Sequence, residues 1–91
     1  MELYTFIMEY LGGTYISQIE ATSKENARVI WIKTLNIEEI EGFTIADKEN
    51  IIKENFSDDD ITPINQTKSV WFFMVEAKNG YGHVNMVKTK L

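Results

Sequence analysis

Two β-hairpin signatures, one at each end of the chain, bracket a helical middle, and this pattern constrains the fold more than any other feature. The first runs Tyr4-Thr5-Phe6-Ile7-Met8-Glu9-Tyr10-Leu11, then Gly12-Gly13, then Thr14-Tyr15-Ile16-Ser17-Gln18-Ile19-Glu20-Ala21. The second runs Val70-Trp71-Phe72-Phe73-Met74-Val75-Glu76-Ala77-Lys78, then Asn79-Gly80, then Tyr81-Gly82-His83-Val84-Asn85-Met86-Val87. Gly-Gly and Asn-Gly between β-formers mark two-residue turns, which need positive φ at their centre.

A Gly12-Gly13 turn sets Tyr10 opposite Tyr15, Met8 opposite Ser17 and Phe6 opposite Ile19. Paired residues share a face. One face is then Tyr4, Phe6, Met8, Tyr10, Tyr15, Ser17, Ile19 and Ala21, the more aromatic set, and it is expected to face the core. A slip of one residue would turn the whole set outward. In the second hairpin, Asn79-Gly80 alone or Asn79 to Gly82 as a longer loop gives the same two faces. Trp71, Phe73, Val75, Ala77, Val84 and Met86 share one. Val70, Phe72, Met74 and Val87 lie on the other, with Glu76, Lys78, Tyr81, His83 and Asn85 toward the turn. The half away from the turn is apolar on both faces, the pattern of a strand covered on two sides.

Between the hairpins, Thr22-Ser23-Lys24-Glu25 has the spacing of a capping box, with Thr22 as the cap. Ala27, Ile30, Trp31 and Thr34 follow at helical spacing, and Leu35 extends the stripe. Val29 and Ile32 fall off it, so helix 1 is predicted to be well buried. Asn36-Ile37-Glu38-Glu39 repeats the cap spacing for a short second helix that Gly42 stops. Phe43-Thr44-Ile45 reads as extended. Asp47 is expected to cap a third helix, Lys48 to about Phe56, with Ile51, Ile52 and Phe56 inward. Pro63 confines Ile61 to Ile64 to an extended or edge position.

Ninety-one residues are expected to form a single domain, 1–91, with one modest core. No cysteine is present, which removes disulfides, thiolate ligands and a cysteine nucleophile. The first basic residue is Lys24, so no signal peptide is expected at the N-terminus. Apolar runs fall far short of the roughly 20 residues of a membrane span. A cytoplasmic location and no membrane partner are the expectation. The net charge is −5, and the single arginine, Arg28, and the lysines are scattered rather than striped. Phosphate binding calls for a basic stripe, so nucleic acid is not an expected partner.

Residues that carry chemistry are few. His83 is the only histidine. A two-residue Asn79-Gly80 turn places it opposite Glu76, as a cross-strand pair. Glu76, Tyr81 and His83 are therefore the candidate ligand residues. Asp58-Asp59-Asp60 lacks the spaced ligands and turn glycine of a calcium loop. It reads as a solvated loop, or as an acidic handle for a basic partner. Gly12-Gly13 has no following helix and no Gly-Lys-Ser/Thr ending, so it is not a phosphate loop. No nucleophile motif occurs. No catalytic residue, metal site or cofactor is expected.

The predicted fold is α+β in the order ββα(α)αββ: a four-stranded antiparallel sheet of two hairpins, with two to three helices on one face. A fifth short strand from Phe43 to Ile45, or from Ile61 and Thr62, is an option. The order hairpin, helix, strands is similar in outline to small bacterial antitoxin and immunity domains, a likeness of shape that transfers no residue roles. The expected function is a small acidic, non-enzymatic interaction or regulatory module, an immunity- or antitoxin-like inhibitor in its sharpest form. The alternative is a small-molecule-binding or enzymatic domain at Glu76, Tyr81 and His83. Three short helices can cover one face of the sheet, which leaves Val70, Phe72, Met74 and Val87 of the second hairpin, with Ile7, Leu11 and Ile16 of the first, on the other. A homodimer with the second hairpin in or near its interface is therefore expected.

Overall fold

The computed structural model describes residues 1–54, 56 and 61–89. Five antiparallel strands form one sheet: β1 (Glu2–Tyr10), β2 (Gly13–Ala21), β3 (Thr62–Pro63), β4 (Val70–Ala77) and β5 (Gly80–Thr89). Two α-helices, α1 (Lys24–Thr34) and α2 (Ile45–Glu54), and a 3₁₀ turn at Ile37–Glu39 lie between β2 and β3. The class is α+β as predicted, but the sheet has five strands rather than four. The extra strand is the Pro63 segment, paired with β4 only at Trp71 and Phe72. Phe43-Thr44-Ile45 forms no strand, because Thr44 starts a helix instead.

The strand order is β2-β1-β5-β4-β3. The two hairpins thus meet along β1 and β5, the first and last strands of the chain. Both hairpins keep the predicted faces and shift the predicted register by two residues. In the first, Tyr10 pairs with Gly13, Met8 with Tyr15 and Phe6 with Ser17. The turn is Leu11-Gly12, with φ of 47° and 82°, the two positive values a type I′ turn requires. Leu11 packs over the neighbouring loop and turn: its Cδ1 would lie 2.7 Å from a Cβ added at Gly42, and its Cδ2 3.3 Å from one at Gly80. In the second, Glu76 pairs with Tyr81 and Met74 with His83, so Lys78-Asn79 is the turn. Burial fixes parity, whereas turn chemistry and contacts to the rest of the fold choose among registers of equal parity.

The helices cover the aromatic face. Phe6, Met8, Tyr10, Phe73, Val75, Val84 and Met86 are buried beneath Ala27, Trp31 and Ile32 of α1 and Ile51 of α2. Phe6 stacks on Trp31 at 5.4 Å, and Phe73 sets its ring edge-on to Trp31 at 5.5 Å and to Phe56 at 5.8 Å. The buried stripe of α1 is rotated from the predicted one. Ile30 is exposed and Ile32 is buried, because α1 packs against α2 as well as the sheet. Trp71 packs at the margin of the core, half-buried, with the Lys24 ammonium 5.8 Å above its ring.

Helix starts also differ from the sequence reading by a residue or more. Ser23, not Thr22, caps α1: its Oγ accepts from the Asn26 N–H at 3.1 Å, while Asn26 Nδ2 donates to Thr22 Oγ1 at 2.9 Å. Thr44, not Asp47, caps α2. Asp47 N–H donates to Thr44 Oγ1 at 3.1 Å, and Thr44 N–H donates back to Asp47 Oδ2 at 2.9 Å. This is a reciprocal capping box with Asp in the third helical position. Lys48 Nζ donates to the Leu35 carbonyl at 3.1 Å and ties the start of α2 to the end of α1.

Candidate interaction face

The sheet's second face is the candidate site, and strand alternation builds it. On β1 it carries Leu3, Thr5, Ile7 and Glu9; on β2, Thr14, Ile16, Gln18 and Glu20. On β5 it carries Tyr81, His83, Asn85, Val87 and Thr89; on β4, Val70, Phe72, Met74 and Glu76. None of these residues is fully buried. Among the described residues no helix packs on this face, since α1 and α2 lie against the aromatic one.

Across the strands the face forms rows. Gln18, Thr5, Val87 and Val70 are successive register partners, as are Ile16, Ile7, Asn85, Phe72 and Thr62. The predicted set Val70, Phe72, Met74 and Val87 is therefore brought together, with Val70 directly opposite Val87. Leu3 and Ile7 extend it onto β1. Leu3 was missing from the sequence-derived set, although alternation from Ile7 toward the N-terminus leads to it; Leu11, which that set included, lies in the turn, because the register is shifted by two. Small polar groups are satisfied among themselves: the Thr5 and Thr89 hydroxyls lie 2.6 Å apart, and Gln18 Nε2 donates to Thr5 Oγ1 at 3.1 Å. The carboxylates Glu9, Glu20 and Glu76 rim the apolar centre, all exposed.

His83 does not face Glu76. Its register partners are Met74 and Glu9, and its ring lies 6.1 Å from that of Phe72, tilted by 31°. Glu76 and Tyr81 are direct partners, and they join the wall of a groove of ≈ 370 Å³ between α2 and the β4 edge. Asp47, Ile51 and Glu54 line its other side, and His83 is not among its lining residues. The three candidate ligand residues thus share a face without converging on one cavity. Asp58, Asp59 and Asp60 lie outside the described residues. Among the described residues no three His, Asp or Glu side chains gather to hold a metal ion. No described helix is long and apolar enough to cross a membrane.

One polar cluster holds the turn end of this face in place. Asp47 Oδ1 accepts the Lys78 N–H at 2.9 Å, and its Oδ2 accepts from the Thr44 N–H and, at 3.0 Å, the Thr44 hydroxyl. Burial pushes the Asp47 carboxyl up, but these bonds outweigh it and hold the group below the ordinary Asp value. The Gly42 carbonyl accepts from the Tyr10 hydroxyl at 2.7 Å and from Asn79 Nδ2 at 2.9 Å. Burial, with Asp47 nearby, raises the Tyr10 phenol above its usual range. Asn79 therefore has a structural partner, and the β4–β5 turn is pinned to the loop before α2. Each polar group in this cluster is used by another, so it has the form of a clamp rather than a binding site. No family model matches the chain, and no curated protein or solved structure matches it significantly.

Proposed function

We propose that the chain is a small, acidic, non-enzymatic interaction module that works by docking a partner protein on the open sheet face. An immunity- or antitoxin-like inhibitor in the cytoplasm is the sharpest form of this reading. One observation carries it: Ile7, Val70, Phe72, Met74 and Val87 sit side by side, half-buried, on a face that no described helix covers. Monomers rarely leave a contiguous apolar patch beyond a few hundred Å² unless it has a use. The rim supplies Glu9, Glu20 and Glu76, and the whole chain is net −5. A fitting partner offers an apolar centre with basic residues around it, and the charges chiefly accelerate encounter. The acidic run Asp58-Asp59-Asp60 adds to that attraction.

Affinity capture from the native lysate, at low and high salt, tests this with two lysine variants. Phe72→Lys places a charge in the middle of the face. Ile45→Lys changes an exposed residue at the start of α2, off the face. A protein captured by wild type and Ile45→Lys but lost from Phe72→Lys is the expected result. Equal capture by both variants removes the open face as the docking surface.

A further inference from the structure

The two edges of the sheet are treated differently. The β4 edge is blunted. β3 is two residues long and contains Pro63, Ile64 N–H donates to the Val70 carbonyl at 3.1 Å, and Asp47 takes the Lys78 N–H. These are the devices by which folded proteins stop edge strands from pairing. The β2 edge has none of them. It is nine residues long, contains no lysine or proline, and pairs with β1 without a bulge from Gly13 to Ala21.

The direction of its free main-chain groups follows from the ladder. Lys88 N–H donates to the Ser69 carbonyl at 2.9 Å, so even-numbered residues of β5 bond toward β4 and odd-numbered ones toward β1. Neighbouring residues of an antiparallel strand bond to opposite sides. Carried through the register, odd residues of β1 bond to β5 and even ones to β2. On β2 the odd residues then bond to β1. The N–H and C=O groups of Thr14, Ile16, Gln18 and Glu20 point outward, away from the sheet.

We infer that β2 pairs antiparallel with β2 of a second copy, about a two-fold axis at Ser17, to give a continuous ten-stranded sheet. Ser17 is the middle residue of the strand, so this register overlaps its full length. Thr14 then meets Glu20 of the second copy and Ile16 meets its Gln18, each an outward residue against an outward residue. Two main-chain bonds form at each such pair. On the helix side, half-buried Tyr15 meets half-buried Ile19 of the second copy. No like charges oppose one another in this register. Ile16, 67% exposed in the single chain, gains cover from the added strand. A strand whose two halves complement each other selects its own copy, and two-fold closure is the commonest assembly. The axis lies perpendicular to the sheet, so both helical layers stay on one side. The two open faces join on the other side, free for a partner. This inference stands independently of the open-face reading.

Sedimentation of the purified chain from about 1 to about 100 micromolar, the range of a modest self-association, tests it. The wild type is expected to dimerise. Gln18→Pro removes an outward N–H without touching a main-chain bond to β1, giving up only the exposed side-chain bond to Thr5, and it is expected to weaken the dimer about tenfold or more. Phe72→Lys is expected to leave the dimer intact. Amide hydrogen exchange of the wild type gives a second readout that needs no variant. Thr14, Ile16, Gln18 and Glu20 exchange fast when dilute and slow down when concentrated. A monomer at the highest concentration overturns the inference. So does exchange at these amides that ignores concentration, or a dimer that Phe72→Lys breaks and Gln18→Pro leaves whole.

Discussion

Asp47 is the residue on which the helical layer and the second hairpin most depend. It joins the start of α2 to the β4–β5 turn through three donors, from a buried position. Asp47→Ala leaves those donors without their acceptor and is expected to cost about 1–3 kcal/mol in urea unfolding. Its pKa is lowered on folding, so it binds protons less readily in the folded state than in the unfolded one. The stability it adds is present above the ordinary Asp pKa and is lost as pH falls through the lower folded value. The difference between wild type and Asp47→Asn is therefore expected to be full at neutral pH and to shrink below about pH 4. A gap that stays constant into acid would remove the carboxylate as its source. Turn glycines give a second residue-scale contrast. Gly12 has φ of 82° in open space, so Gly12→Val is expected to cost about 1–3 kcal/mol through backbone strain alone. Gly13 lies in β2 without a positive φ, and an added Cβ meets only the far end of the Tyr15 side chain, 2.6 Å from its hydroxyl oxygen. Gly13→Val is thus expected to melt nearer to wild type than Gly12→Val does.

At the scale of elements, the sequence made faces legible and registers illegible. Alternation in β1, β2, β4 and β5 assigned every core residue of the hairpins to the right side, because a slip of one residue would exchange core for surface. A slip of two has no such signature. The register depended instead on Leu11 lying over Gly42 and Gly80, on Lys78 bonding to Asp47 in the first turn of α2, and on Asn79 bonding to Gly42 in the loop before it. Those contacts join segments more than thirty residues apart in the chain. His83 was paired with Glu76 for this reason, when its partners are Met74 and Glu9. Helix caps were displaced similarly, since Thr22 and Ser23 are both competent caps and Thr44 preceded an aspartate that also caps well. The stripe of α1 rotated once α2 supplied a second surface. Trp31, stacked on Phe6, and Trp71, at the core margin, should accordingly differ. Trp31→Ala is expected to cost about 3–5 kcal/mol, and Trp71→Ala about 1–2 kcal/mol because its ring is only partly withdrawn from water. Equal losses in chemical denaturation would place both rings in the core.

At the scale of the molecule, the hairpins join through their outer strands in sequence, β1 with β5, and no local signal announces that seam. Its consequence is that the apolar residues on the second faces of both hairpins become one surface, with Ile7 and Val87 on neighbouring strands. The surplus of apolar residues on that face was legible from alternation alone; its continuity across the seam was not. Among the described residues the helices lie on one face only, which leaves an apolar face and an unblunted β2 edge without cover. The central claim is that Phe72 lies on the uncovered face while its neighbour Phe73 is sealed beneath the helices. Paired thermal unfolding of Phe72→Lys and Phe73→Lys measures this directly. Phe72→Lys is expected to fold and to stay within about 1 kcal/mol of wild type, whereas Phe73→Lys, which buries a charge in an aromatic cluster, is expected to lose several kcal/mol or fail to fold. Unfolding of both variants alike would show that the second face is covered in the folded protein and would contradict the account.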